Sequence, residues 1–124
     1  MIDFQNASYF KLKPVSDNDF AGMLIPMFVP GEQIIQSFRG IRDGVVFTNK
    51  RIFAINVQGI TGKKKDFTSL PYNKIQAFSV ETAGAFDLDS ELELWFSGMG
   101  RIKLEFIGAA DITHICKMIS EKVL

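Results

Sequence analysis

The clearest alternation along the chain is "LDSELELWF", which sets Leu88, Leu92, Leu94 and Phe96 on one face and Asp89, Glu91, Glu93 and Trp95 on the other. A period of two predicts a half-buried strand. It returns in "RIKLEF", where Ile102, Leu104 and Phe106 oppose Arg101, Lys103 and Glu105. A loop of Gly98, Met99 and Gly100 would pair Phe96 with Ile102 and Leu94 with Leu104, so that the apolar faces coincide.

Upstream, "EQIIQSFRG" (32–40), "GVVFT" (44–48), "RIFAINVQ" (51–58), "KKKDFTSL" (63–70) and "KIQAFSVET" (74–82) are rich in β-branched and aromatic residues and read as further short strands. Asn49 and Lys50 predict a two-residue hairpin in which Asn takes the positive φ of a primed turn and Thr48 faces Arg51. "GITG" and the corner Pro71, Tyr72 and Asn73 turn the chain further on. "VSDNDFAGMLI" predicts a short helix capped by Ser16 or Asp17, with Phe20, Met23 and Leu24 at helical spacing, ending at Pro26. Near the C-terminus Asp111 is placed to cap a helix whose stripe is Ile112, Ile115, Cys116, Ile119 and Val123. The expected fold is mainly β: seven antiparallel strands in two packed sheets or a partly closed barrel, with the last helix covering an open end.

At 124 residues and 47% hydrophobic content the chain has material for one packed core. It reads as a single domain over 1–124, with residues 1–30 as an N-terminal extension and 31–124 as the core. Fourteen basic residues balance fourteen acidic ones, so no global field attracts nucleic acid, and electrostatic recognition needs a local asymmetry. The longest apolar stretch, "MLIPMFVP", carries two prolines and falls short of the roughly 20 residues that span a bilayer. No secretory pattern opens the chain, so the expected compartment is cytoplasmic. Cys116 has no second cysteine to pair with.

The run from residue 31 to 98 carries, in order, "FTNKR", "GITGKK", "PYNKI" and "SVETAGAFDLDSELELWFSG". These motifs resemble the bacterial pleckstrin-homology-like domain family. The resemblance implies seven strands in two near-orthogonal sheets capped by an α-helix. It also implies a single-domain member that forms a cyclic, pentamer-like homo-oligomer and offers a polar surface to a protein partner.

Candidate sites are few. Lys63, Lys64 and Lys65, with Arg39 and Arg42, could contact an anion or anionic lipid headgroups, although strand alternation sends Lys63 and Lys65 one way and Lys64 the other. The loop "GIRDG" holds only one basic residue for such a role. Glu91, Glu93 and Trp95 are candidates for an oligomer or partner interface, since a large aromatic on a polar face marks a contact. Asp87, Asp89, Glu91 and Glu93 lie along a straight strand, which splays carboxylates too far apart for a calcium loop. His114 and Cys116 stand about 200° apart on a helix and cannot form a nucleophile–base dyad. Cys116 is expected in the core and His114 in solvent. With no metal set, cofactor motif or catalytic constellation, the chain reads as a non-enzymatic interaction module, with a peripheral membrane module as the alternative.

Overall fold

The computed structural model describes residues 1–124 apart from Asn6 and Ala109, and the backbone alone of Phe10. Its strands are β1 (Ala7–Val15), β2 (Ile34–Arg39), β3 (Gly44–Thr48), β4 (Arg51–Gln58), β5 (Lys64–Pro71), β6 (Ile75–Glu81), β7 (Ser90–Phe96) and β8 (Gly100–Phe106). Helix α1 (Asn18–Leu24) runs into a 3₁₀ turn at Ile25–Met27, another 3₁₀ turn spans Tyr72–Lys74, and helix α2 (Ile112–Val123) closes the chain. The mainly β fold with a C-terminal helix and a short helix near the N-terminus is as expected.

All eight strands form one open sheet in the order β5-β4-β3-β2-β1-β8-β7-β6, rather than a closed barrel. The strands expected from the sequence are β2 to β8; β1 is additional, and it is the piece that joins the two halves. Its first part runs parallel to β8, pairing Ala7 with Ile102 and Tyr9 with Leu104. Its last part runs antiparallel to β2, pairing Lys13 with Arg39 and Val15 with Ser37. Between them the register shifts and Lys11 takes φ 53°. That bulge puts Tyr9 and Leu12, three residues apart, both in the core. A strand whose inward positions are not two apart gives no alternation to read, and Pro14 at its end weakens the signal further.

The main core lies between the two halves, with Leu12, Phe38, Phe47, Leu92, Leu94, Ile102 and Phe106 at its centre. Phe38 of β2 meets Phe106 of β8 edge-on at 4.8 Å between ring centres, which links the halves directly. Helix α2 seals this core with Ile112, Ile115, Met118 and Ile119. Asp111 caps it as expected, its side chain accepting from the His114 N–H. Met118, outside the expected stripe, is buried, whereas Cys116 is only half-buried rather than core. His114 is exposed.

A second, smaller cluster lies on the opposite face of β3 and β4, where α1 lays Phe20 and Leu24 over Val46, Phe53 and Ile55. Gly44 makes this close approach possible, because a Cβ there would overlap the Phe20 ring. The Asp17 side chain does not cap α1, while Ser16 Oγ accepts from the Asn18 N–H at 3.3 Å.

Three local expectations change. Strand β7 starts at Ser90, so Leu88 lies outside it and is exposed, and buried Ser90 takes the next inward position. The β7–β8 loop is Ser97, Gly98 and Met99, with Phe96 opposite Gly100 and Leu94 opposite Ile102. This shift of two residues keeps every side chain on its expected face, so hydrophobic pattern alone could not fix it. Asn49 does not adopt a positive φ; among the described residues Lys11 is the one non-glycine that does.

Candidate functional site

Asn49 acts through its side chain instead. Its Oδ1 accepts from the Gln33 N–H at 2.7 Å and its Nδ2 donates to the Gly31 carbonyl at 3.0 Å, which fastens the start of β2 to the β3–β4 hairpin. The neighbouring Thr48 Oγ1 donates to Glu32 Oε2 at 2.7 Å and receives the N–H groups of Lys50 and Arg51. Arg51 crosses the same knot, donating to both Glu32 oxygens, the Met27 carbonyl and Ser69 Oγ, and lying over the Phe53 ring. Tyr72 donates its hydroxyl to the Thr48 carbonyl at 2.7 Å. The "FTNKR" motif is therefore occupied internally and leaves only Lys50 exposed to a ligand.

Burial pushes the Glu32 carboxyl up, but the hydrogen bonds from Arg51, Val29 and Thr48 outweigh it and hold the group below its ordinary value. The knot is ionised, paired and saturated, which suits a structural role.

The candidate interface residues lie together on the outer face of β6, β7 and β8. Trp95, 43% exposed, sits between Ala77 and Arg101 across the strands, Glu93 between Ser79 and Lys103, and Glu91 between Glu81 and Glu105. Arg101 Nη1 donates to Glu93 Oε1 at 2.6 Å and its guanidinium lies 5.7 Å from the Trp95 ring centre. Lys103 Nζ bridges Glu91 at 3.5 Å and Glu93 at 3.7 Å. These exposed pairs add little to stability. On the other half of the sheet, α1 covers the outer face; here no described element does. The β6–β7 connection beside it exposes Phe86 fully and Leu88 by 66%.

The basic candidates divide. Lys63 lies in the turn before β5, while Lys64 and Lys65 start the strand, and all three are exposed. Arg42, from the β2–β3 loop, donates to the Gly59 carbonyl in the β4–β5 loop, which leads into the lysines it was grouped with. Arg39 does not: it pairs with Asp19 at 3.6 Å and lies over the Phe20 ring, on the α1 side. Two residues missed by sequence reasoning, Ile41 and Ile60, stand at the tips of these tied loops, 89% and 104% exposed. An isoleucine inside a glycine-bounded turn was the available signal. Beside them burial raises the Asp43 carboxyl pKa against the charge of Arg42, and burial with nearby Asp43 and Asp66 raises Tyr9 to about 12 despite its hydrogen bond to Asn56. Among the described residues, no three His, Cys, Asp or Glu side chains gather as a metal set. Among the described residues no helix is long and apolar enough to cross a membrane.

A two-part, largely antiparallel sheet sealed by a C-terminal helix defines a pleckstrin-homology fold. The chain belongs to the bacterial PH domain family, whose pattern matches residues 3–123. It is 41% identical to a DUF1696-family protein with a pleckstrin-homology domain from Shewanella loihica, whose crystal structure superposes with a TM-score of 0.80 over 93% of this chain and 99% of that one. A pleckstrin homology domain from Shewanella amazonensis is 40% identical, with a TM-score of 0.67 over 89% of this chain and 90% of that one. Two Bacillus subtilis relatives bear the names uncharacterized protein YjqA and uncharacterized protein YozO. YjqA is 53% identical over 60% of each chain, and YozO 32% identical over 86% of this chain and 92% of its own. The match therefore spans 60% of the YjqA length.

Proposed function

We propose that this bacterial PH domain is a non-enzymatic, cytoplasmic interaction module that joins its own copies into a cyclic, pentamer-like homo-oligomer and presents a polar surface to a protein partner. The observation that carries the reading is the uncovered outer face of β6–β8, where half-exposed Trp95 stands within a Glu91–Lys103–Glu93–Arg101 ladder, next to exposed Phe86 and Leu88. An aromatic rimmed by charge, on a face the chain does not cover itself, is the composition of a contact surface. Cyclic closure fits a patch that meets a different patch on the next copy. Light-scattering mass of the full chain tests it: a ring gives a multiple of the 13.9 kDa chain mass, and a strict monomer at micromolar concentration sinks it.

A second reading is favoured by the tie between Arg42 and Gly59, which gathers Arg42 and Lys63, Lys64 and Lys65 around exposed Ile41 and Ile60. It makes the chain a peripheral module for anionic lipid headgroups. Sedimentation with vesicles of phosphatidylserine and phosphatidylcholine separates the readings. Binding that falls with salt supports the lipid contact, and recovery of all protein in the supernatant removes it.

A further inference from the structure

Strand β2 has a free edge in the middle of the fold. Strand β1 leaves it at the Val15–Ser37 pair, so among the described residues Ile34 and Gln36 have a strand partner in β3 alone, and Ile35 pairs with neither strand. The β2–β3 register also shifts at Ile35. Beside this edge opens a cavity of about 270 Å³ walled by Pro14, Val15, Ile35 and Phe38, with Asp17 and Asp111 at its polar margin. Past Ile35 a second hollow of about 290 Å³ continues along α2, against His114, Lys117, Met118 and Glu121. The two hollows share Ile35 as a wall, between a strand edge and a helix.

The first cavity is short of hydrogen-bond donors. Gln36 lines it and is half-buried, and its Oε1, the one buried side-chain atom without a hydrogen-bond partner among the described residues, lies beneath the surface. Unpartnered buried acceptors are rare because they forfeit their hydration. Among the described residues the Asp17 side chain accepts only from Ser37 Oγ, at 3.2 Å, the Asp111 side chain only from Thr113 and the His114 N–H, and no cation pairs with either. A cationic side chain entering the cavity would meet these two exposed carboxylates beside an apolar wall.

We propose that an extended segment of a partner protein adds to the free edge of β2 and places a lysine or arginine in the cavity. The aliphatic stem lies along Val15, Pro14 and Ile35, and the cationic head stands between Asp17 and Asp111 at the cavity margin. Backbone pairing at Ile35 supplies affinity, and the acidic cavity supplies the choice of side chain. The proposal specifies the protein-binding part of the reading above and rests on it; self-association on the β6–β8 face is decided separately by oligomer mass.

The test is titration of the ¹⁵N-labelled full chain with acetyl-Thr-Val-Lys-Val-Thr-amide and with the same peptide carrying norleucine for lysine. The lysine peptide should shift the Ile35 amide and the Gln36 side-chain amide, and the norleucine peptide should bind about tenfold more weakly. The double variant Asp17→Asn, Asp111→Asn, in which asparagine still caps α2, should weaken the lysine peptide by a similar factor and leave the norleucine peptide unchanged. Equal binding of the two peptides, shifts confined to other surfaces, or no shift at millimolar peptide would overturn the proposal, whatever the oligomer mass.

Discussion

Arg51 grips both oxygens of the Glu32 carboxylate, with Nη2 2.8 Å from Oε1 and Nε 3.0 Å from Oε2, at a glutamate side chain that is fully buried. The pair joins the 3₁₀ turn after α1, the entry to β2 and the β3–β4 hairpin. Removing either partner strands the other. Glu32→Ala should therefore lower stability by about 3–5 kcal/mol, as for other broken buried pairs, read from urea denaturation. Arg51→Ala should cost a similar amount, and the double variant less than the sum of the two. Additive losses would show that the two side chains act independently.

Acid should act on the same pair. Glu32 titrates below its ordinary 4.5 in the folded chain, so its stabilising contribution is complete above 4.5 and is lost as pH falls through the lower folded value. Thermal midpoints between pH 6 and 2 should decline for the wild type. In Glu32→Gln the midpoint should start lower and fall less steeply over the acid range. Parallel curves would mean that other carboxylates carry the acid response.

Asp43 should behave with the opposite sign. Burial raises its carboxyl above the ordinary 3.8, with Arg42 opposing, so the folded state is most favoured below 3.8 and loses stability as pH rises through the folded value. Asp43→Asn removes that loss. The variant should be more stable than the wild type at pH 7, and the difference should shrink toward pH 3. A less stable variant at pH 7 would point to a hydrogen bond that the carboxylate alone provides.

Asn49 separates two accounts of the hairpin. If it supplied turn conformation, Asn49→Gly would be neutral or stabilising and Asn49→Ala harmful. Because it instead holds Gly31 and Gln33 by its amide, both substitutions should cost about 1–2 kcal/mol, a typical loss for two hydrogen bonds at a partly exposed site. A stable glycine variant would restore the turn account.

The hairpin also shows what the sequence could and could not tell. Alternation located β7 and β8, and composition with the Asn49–Lys50 turn located the β3–β4 pair, because these are local properties. It could not see β1, where the bulge at Lys11 breaks the period, nor the two-residue shift in the β7–β8 loop, which leaves the facing unchanged. The site was legible in the same proportion. Trp95 on a polar face was visible in one strand and Arg42 was grouped with the lysines, but the tie from Arg42 to the Gly59 carbonyl depends on two loops meeting. The free stretch of the β2 edge depends on where β1 stops pairing. Neither is a local property.

Trp95 gives the decisive substitution for self-association. Its ring is exposed, and its close partner is the Arg101 guanidinium at 5.7 Å, so the isolated chain gains little from it. Trp95→Ala should leave monomer stability within about 1 kcal/mol of the wild type, the range of surface changes and exposed cation–π contacts. If the β6–β8 face joins copies, the same change removes the largest aromatic anchor of the interface. Light-scattering mass at micromolar concentration should then fall toward that of the single chain while the circular dichroism spectrum stays folded. Arg101→Ala should weaken assembly less, because Lys103 still pairs with Glu91 and Glu93. An oligomer that keeps its full mass in Trp95→Ala would move the contact away from this face, to the exposed Phe86–Leu88 connection or the free edge of β5.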